Sequence, residues 1–412
     1  MKYPIQYFCG SGAQIYPREV FLKSTQAFSD QQPMPPTITG ETGIDGLLID
    51  FNYGLRLQIP EGNWHVRIVD ADSEYVFFDD DISAVTLISV EKYYIEWEIA
   101  IWLDGEPVFY HQFDPRGQHV HFKLNRAIGD NITLLPYIEA FRQKFDCTVS
   151  CSVSEPMKCL VQTYFPDVTL TKALPEDAYA CFYMSAPINM PFVATDHALH
   201  IPLLELGHSI LRRIAPPPKK IYTPTKPRSI DQKYVCIGVQ ASTPEKSWLN
   251  PEGWDHVVDY LKSLGYRVLC IDRDRVTKKF GLTVEIPRGA ENFSGKYDLL
   301  DRVNQLAYAD FFIGVSSGLS WLAWSVDIPV VMISGITARW YEFQNPYRIY
   351  NPVVCHGCFN EYFGAGEKNE LCLLFKGTDR AYECSKNITA RQVINAIDRL
   401  IADHNLGDRD EK

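Results

Sequence analysis

Gly129-Asp130 stands where a strand-like run, "HVHFKL", gives way to a helix-like one, "NITLLPYIEAFRQKF". That places Asp130 at the carboxyl edge of a sheet, where open α/β sheets bind their ligands. A carboxylate in a first helical turn is read most simply as a cap that complements the helix dipole. Facing a cleft, the same carboxylate is a general base. A second stretch, "GVSSGLS" at residues 314–320, has the composition of a phosphate cradle. Strand, small-residue turn and helix N-terminus together present free N–H groups and a positive dipole end to an anion. Ser316, Ser317 and Gly318 are small enough to let it approach. The stretch also spells G-x-S-x-G, with Ser316 as a nucleophile elbow. A hydrolase needs its histidine downstream, and only His356 and His404 follow, one between two cysteines and one near the terminus. The cradle, or a tight turn with no ligand, is the better reading. Lys246, in "STPEKSWLNPEGW", lies between a strand and a helix and can meet a ligand phosphate, though a lone lysine there is ordinarily solvated. The acidic pair in "DRD", residues 272–274, mimics a cation-binding motif but reads better as a solvated strand end.

The third chemical signal is C-x2-C-x13-C-x11-C, formed by Cys355, Cys358, Cys372 and Cys384. Four thiolates from a knuckle and a loop can close a tetrahedral S4 site for zinc or iron. The intervening segment is long and loop-like, so it needs a staple. Four protein ligands leave no open position, which makes such a site structural. The competing reading is free or redox-active thiols. Phe359 follows Cys358, so this is not a C-x-x-C-H haem signature. The other cysteines, such as Cys147, Cys151, Cys236 and Cys270, lie in apolar runs and read as buried small hydrophobes.

These residues must be positioned by a sizeable fold. A chain of 412 residues is too long for one ordinary core, and 46% apolar with 22% charged residues is globular. A net charge of −11 argues against a nucleic-acid binder. The start "MKYPIQYFCG" shows no secretory h-region and no run reaches membrane-span length, so a cytoplasmic protein is expected. Residues 1–115 alternate with period two, and "YYIEWEIAIWLDGEPVFYHQF" predicts a hairpin turning at Asp104-Gly105. A β-rich N-terminal domain is expected there.

From residue 116 the pattern becomes βαβ, and it restarts after the Pro-rich, basic segment 215–229. "NPEGWDHVVDYLKSLG" predicts a helix with Asn250 as N-cap, Pro251 at N1, an apolar stripe of Trp254, Val257, Val258 and Leu261, and Gly265 past its end. The expected organisation is therefore a β-rich domain at 1–115, Rossmann-like domains at 116–225 and 226–350, a four-cysteine finger at 351–386, and a terminal helix and tail at 387–412.

"KLNRAIGDNITLLPYIEAFRQ", "VQASTPEKSWLNPEGWDHVVDYLKSLGYRVL" and "ADFFIGVSSGLSWLAWSVDIPVVMISG" resemble bacterial heptosyltransferases. With "EFQNPYRIYNPVVCHGCFNE", the later cysteines and the β-rich front, the chain resembles the autotransporter heptosyltransferases, relatives of the lipopolysaccharide enzymes. Trp321 stands where the lipopolysaccharide branch usually carries His, which favours the protein-modifying branch. The resemblance implies a GT-B-type pair of Rossmann-like domains, with ADP-heptose as donor and Ser or Thr hydroxyls of an autotransporter adhesin as acceptor. It also implies an iron (Fe3+) ion on the four cysteines, no divalent metal for transfer, and a dodecamer. By the same resemblance Asp130 matches the catalytic aspartate, Lys246 a phosphate-contacting lysine, Arg302 a donor-contacting arginine, and Ser316, Ser317, Gly318 and Leu319 the donor turn. A lipopolysaccharide-core heptosyltransferase and a non-catalytic, metal-stapled scaffold are the alternatives.

Overall fold

A computed structural model describes residues 1–10, 37–124, 127–185, 192–196, 198–215, 221–279, 282–295, 297–362, 372 and 374–406. The first half runs β1 (Ile5–Phe8), β2 (Leu48–Asn52), β3 (Arg56–Ile59), β4 (Trp64–Asp70), β5 (Tyr75–Ile82), β6 (Val85–Ser89), β7 (Trp97–Leu103), β8 (Glu106–Gln112) and β9 (His119–Leu124). Helix α1 (Ile128–Phe145) follows, then β10 (Thr148–Ser152), α2 (Lys158–Tyr164), β11 (Val168–Leu170), β12 (Ala180–Met184) and α3 (Leu206–Leu211). The second half holds β13 (Tyr234–Gly238), α4 (Gly253–Ser263), β14 (Arg267–Cys270), the antiparallel pair β15 (Val276–Lys279) and β16 (Leu282–Glu285), β17 (Glu291–Asn292) and α5 (Leu299–Ala307). It ends with β18 (Phe312–Val315), α6 (Gly318–Ser325), β19 (Val330–Ile333), β20 (Arg348–Ile349), α7 (Cys358–Tyr362), α8 (Glu383–Lys386) and α9 (Ala390–Asp403).

Strand pairing crosses the boundary expected at residue 115. One eight-stranded sheet has the order β1-β6-β3-β2-β12-β9-β10-β11, so strands from the N-terminal stretch complete the sheet of the first α/β half. Only β3 is antiparallel to its neighbours in that sheet. The rest of the front forms a four-stranded antiparallel sheet, β5-β4-β7-β8, with the hairpin turn at Asp104 (φ 53°) and Gly105 (φ 86°) as expected. Local alternation cannot tell these two fates apart, because pairing partners lie far away in sequence.

The second sheet is fully parallel with the order β17-β14-β13-β18-β19-β20. Counted from β13, that is the doubly wound order 3-2-1-4-5-6, whose switch point lies between β13 and β18. In the first sheet β11-β10-β9-β12 repeats the pattern, with its switch point between β9 and β12.

Helices α1 and α6 stand behind these two points and meet each other. Both are buried over much of their length. α1 buries Ile132, Leu134, Leu135, Tyr137, Ile138 and Phe141, and α6 buries Trp321, Leu322 and Ala323. One apolar core therefore runs unbroken from the first sheet through α1 and α6 to one face of the second. The other face of the second sheet packs on α4 and the amphipathic α9, which opens on a Thr389–Gln392 capping box.

The segment 215–229 is partly outside the described residues. Ile221 and Tyr222 donate their N–H groups to Ser325 O, and Tyr222 is fully buried, so this part packs on α6. Helix α4 begins at Gly253, with Glu252 (φ 58°) as N-cap in place of the expected Asn250. Asn250 Nδ2 instead donates to Lys386 O (2.9 Å). Among the described residues no helix is long and apolar enough to cross a membrane.

Candidate active site

Asp130 lies in the first turn of α1, three residues after the N-cap Ala127, and is half-buried. Its charge is felt by Tyr341, a buried phenol that burial, then Asp130, then Glu342 push above its usual range. The facing helix α6 starts at the other switch point with Ser317 as N-cap. Ser317 Oγ makes no capping bond, is buried, and has no hydrogen-bond partner among the described residues. A buried hydroxyl without a partner is costly unless a ligand satisfies it.

The two helix starts touch. A β-carbon on Gly318 would lie 2.8 Å from Ile128 Cβ and 3.5 Å from Gly129 N. Two positive helix ends thus converge on one place, with the carboxylate residue Asp130 in the first turn of one of them. An anion at α6 and a base at Asp130 are the chemistry this arrangement supports.

Ser316 is tied back rather than free. Its Oγ donates to Glu342 Oε1, and Glu342 pairs with Arg348 at 2.8 Å, both side chains almost wholly buried. Arg348 Nη2 also donates to Thr337 O and Thr337 Oγ1, each at 2.9 Å. The serine turn is thereby bolted to the loop 334–342. Leu319 packs on Gly238, whose β-carbon would lie 3.2 Å from Leu319 Cδ1.

Lys246 ends a short turn after β13, is half-buried, and places its ammonium 5.5 Å from the Phe359 ring centre. Nearby, Gln240, Ala241, Thr243, Ser247, Thr277, Leu282 and Val284 line a small opening between the carboxyl end of β13 and the β15–β16 pair. Thr243 Oγ1 is buried there with no hydrogen-bond partner among the described residues.

Arg302, by contrast, is spent inside the fold. It is 3% exposed, donates to Asp272 O (3.1 Å) and Gln305 Oε1 (2.6 Å), and lies 4.6 Å from the Tyr297 ring centre. Burial pulls its pKa below the usual arginine value. The expectation of a solvated "DRD" fails at its first residue. Asp272 is 2% exposed and accepts the N–H groups of Val239 (2.8 Å) and Gln240 (3.2 Å), closing the end of β13. Burial pushes its carboxyl up to about 6.

Cys355, Cys358, Cys372 and Cys384 come together. Burial raises the thiols of Cys358 and Cys384 to about 12, and the neighbouring cysteines add to the effect. Cys372 and Cys384 also act on Cys358, and Cys372 on Cys355. None of the four is in a disulfide. Among the described residues no three His, Cys, Asp or Glu side chains stand at metal-ligand geometry. The donor set itself, four sulfurs near enough to act on one another's charge and three of them buried, fits a thiophilic ion.

Glu342, Arg348 and Tyr341 were not singled out by sequence. Their only signal is a Glu and an Arg within the aromatic stretch "WYEFQNPYRIY".

Residues 43–105 match the model of the N-terminal domain of glycosyltransferase TibC, and residues 189–349 that of glycosyltransferase family 9 (heptosyltransferase). The autotransporter heptosyltransferase BAHTCr of Citrobacter rodentium is 35% identical over 89% of this chain and 92% of its own length. The crystal structure of TibC from enterotoxigenic Escherichia coli H10407, an iron-containing dodecameric glycosyltransferase, superposes with a TM-score of 0.83 at 34% identity. The match covers 90% of this chain and 99% of that one, and TibC has also been solved with ADP-D-β-D-heptose. An inactive autotransporter heptosyltransferase, BimC of Burkholderia thailandensis, is 30% identical over 90% of this chain and 89% of its own.

Proposed function

The chain belongs to the autotransporter heptosyltransferases, and from that premise we propose that it transfers heptose from ADP-heptose to Ser or Thr hydroxyls of an autotransporter adhesin, in the cytoplasm before export. The observation that carries the chemistry is the meeting of the α1 and α6 N-termini, with Asp130 on one and the unpartnered Ser317 Oγ on the other. In this GT-B-type reading the ADP moiety lies along the carboxyl end of the second sheet. Its diphosphate rests on the Ser316, Ser317, Gly318 and Leu319 turn, with Lys246 as cation.

A hydroxyl is a weak nucleophile until a base takes its proton, and Asp130 is that base. The acceptor oxygen forms a bond to the anomeric carbon on the face away from ADP. The bond from that carbon to the β-phosphate oxygen breaks, its electron pair leaves with ADP, and the centre inverts. Charge building on the diphosphate is met by the α6 N-terminus and Lys246. These groups do the work of a divalent cation, so transfer persists in EDTA. Arg302 serves the donor site indirectly, by holding the strand end at Asp272.

Cys355, Cys358, Cys372 and Cys384 hold one structural iron, which ties the C-terminal segment together; the sulfur donors and the iron of TibC support this. Zinc is the alternative occupant. A dodecamer is proposed on the same likeness. The inactive relative favours a second reading, a scaffold without transfer.

One experiment separates the readings. Enzyme, ADP-heptose and an adhesin passenger fragment are mixed and the fragment is weighed by intact mass spectrometry, with Asp130→Asn alongside. Heptose-sized increments that disappear in the variant support the proposal. No increments with the wild type, or undiminished transfer by Asp130→Asn, overturns it.

A further inference from the structure

Phe359 follows the second cysteine of the C-x2-C knuckle, yet its ring contacts two residues beside the candidate active site. Its ring centre is 5.5 Å from Lys246 Nζ and 5.3 Å from the ring centre of Tyr341, at an interplanar angle of 57°. Lys246 is the candidate cation for the diphosphate, and Tyr341 is the phenol that senses Asp130. One ring thus touches a group from each side of the reaction.

The ring is firmly held. Phe359 N–H donates to Ile336 O (3.0 Å). Asn360, 3% exposed, accepts from Ala338 N–H (2.7 Å) and donates through Nδ2 to Leu199 O (2.8 Å). Leu203 N–H in turn donates to Tyr341 O (2.8 Å). Helix α7 is therefore fixed to the loop beside the donor turn and to the first half of the molecule. Gly335 lies directly against this segment, since a β-carbon there would stand 2.4 Å from Cys384 O.

A lysine ammonium on a four-carbon stem samples many positions, and fixing it costs rotamer entropy at the moment of binding. An aromatic face within about 6 Å attracts the cation and restricts it beforehand. We propose that Phe359 is a positioning residue for transfer: its ring presets the Lys246 ammonium for the donor diphosphate, so that the four-cysteine segment acts on donor binding as well as on local stability. This rests on the donor reading above.

The test uses the full-length, metal-loaded enzyme and reads ADP affinity by calorimetry, donor KM, kcat and metal per chain. Phe359→Leu keeps apolar volume but removes the ring face. It should retain its metal, weaken ADP binding and raise donor KM by about 3-fold or more, and leave kcat within about 2-fold. Phe359→Trp should restore both donor readouts. In a Lys246→Met background, where the cation is gone, Phe359→Leu should cost ADP affinity nothing further. Wild-type ADP affinity in Phe359→Leu, or a loss as large with Met at 246 as with Lys, overturns the proposal. If Phe359→Leu sheds its metal or fails to fold, Phe359→Met, which fills the same space without a ring, carries the same comparison. A wild-type protein that binds no ADP overturns the donor reading instead.

Discussion

Gly129 of α1 lies so close to Trp321 of α6 that a β-carbon on the glycine would stand 2.8 Å from the indole Cδ1. Gly318 repeats the relation from the other side, against Ile128. Neither glycine has a positive φ. The glycine before Asp130 is therefore needed for close approach of two helices, not for a left-handed backbone. Trp321 is itself boxed in by Trp324 and Phe343, with ring centres 5.8 and 4.9 Å away, so it cannot swing aside.

Gly129→Ala should accordingly destabilise the protein by about 1–3 kcal/mol, the usual cost of overpacking. Transfer should fall more steeply than stability, because the displaced residue adjoins Asp130. Adding Trp321→Leu, which removes the clashing indole, should recover much of the lost stability. Denaturant midpoints of the two variants check this; a Gly129→Ala protein as stable as wild type would contradict the contact.

The βα alternation from residue 116 onward was legible because strand and helix periods are local. The hairpin at Asp104-Gly105 was legible for the same reason. What escaped was set by distant partners. Asn250 and Pro251 make a good helix start on paper, but Asn250 is drawn to Lys386 O, and Gly253 sits 2.6 Å, by its absent β-carbon, from Trp248 Cζ2. Asp272 looked solvated because no local pattern announces the N–H groups of Val239 and Gln240. At the candidate site, Asp130 and the serine turn stood out by their places after strands. Glu342 and Arg348 did not, since a buried ion pair has no sequence period.

His121 gives a pH prediction. It is fully buried in β9, with Nδ1 2.9 Å from Ser150 Oγ and Nε2 3.1 Å from Ser152 Oγ. Burial, helped by His119 and Lys123, pulls its pKa down from 6.5 to about 4. Between those values the unfolded chain takes up a proton that the fold refuses. Stability is therefore intact above pH 6.5 and declines as pH falls towards 4, by at most about 3 kcal/mol. Asp272 opposes this, because a carboxyl raised to about 6 gains stability as pH falls through that value. His121→Asn isolates the histidine: its acid decline should be shallower than that of wild type in denaturant melts at pH 7, 6 and 5. Parallel curves would refute the assignment.

Metal removal should act through the same segment that carries Phe359. Cys384→Ser, or a strong chelator in mild denaturant, should lower metal content below one ion per chain and reduce stability, since a structural metal contributes its binding energy to the fold. If the ion is ferric, the wild type absorbs in the visible through thiolate-to-iron charge transfer and the variant does not. Elemental analysis distinguishes zinc. A wild-type protein with no bound metal would leave the cysteines as plain thiols.

The Glu342–Arg348 pair sets up the sharpest stability test. The partners are 2.8 Å apart with side chains 2% and 5% exposed, and Glu342 also accepts from Ser316 Oγ. Arg348→Met strands a buried carboxylate and should cost about 3–5 kcal/mol. Adding Glu342→Gln removes that charge while keeping an acceptor for Ser316, so the double variant should be more stable than Arg348→Met alone. Donor affinity should follow the same order, because Ser316 begins the turn proposed to hold the diphosphate. Should the double variant regain stability but not donor affinity, the Glu342–Arg348 charge pair itself, rather than its grip on Ser316, would be what the donor site requires.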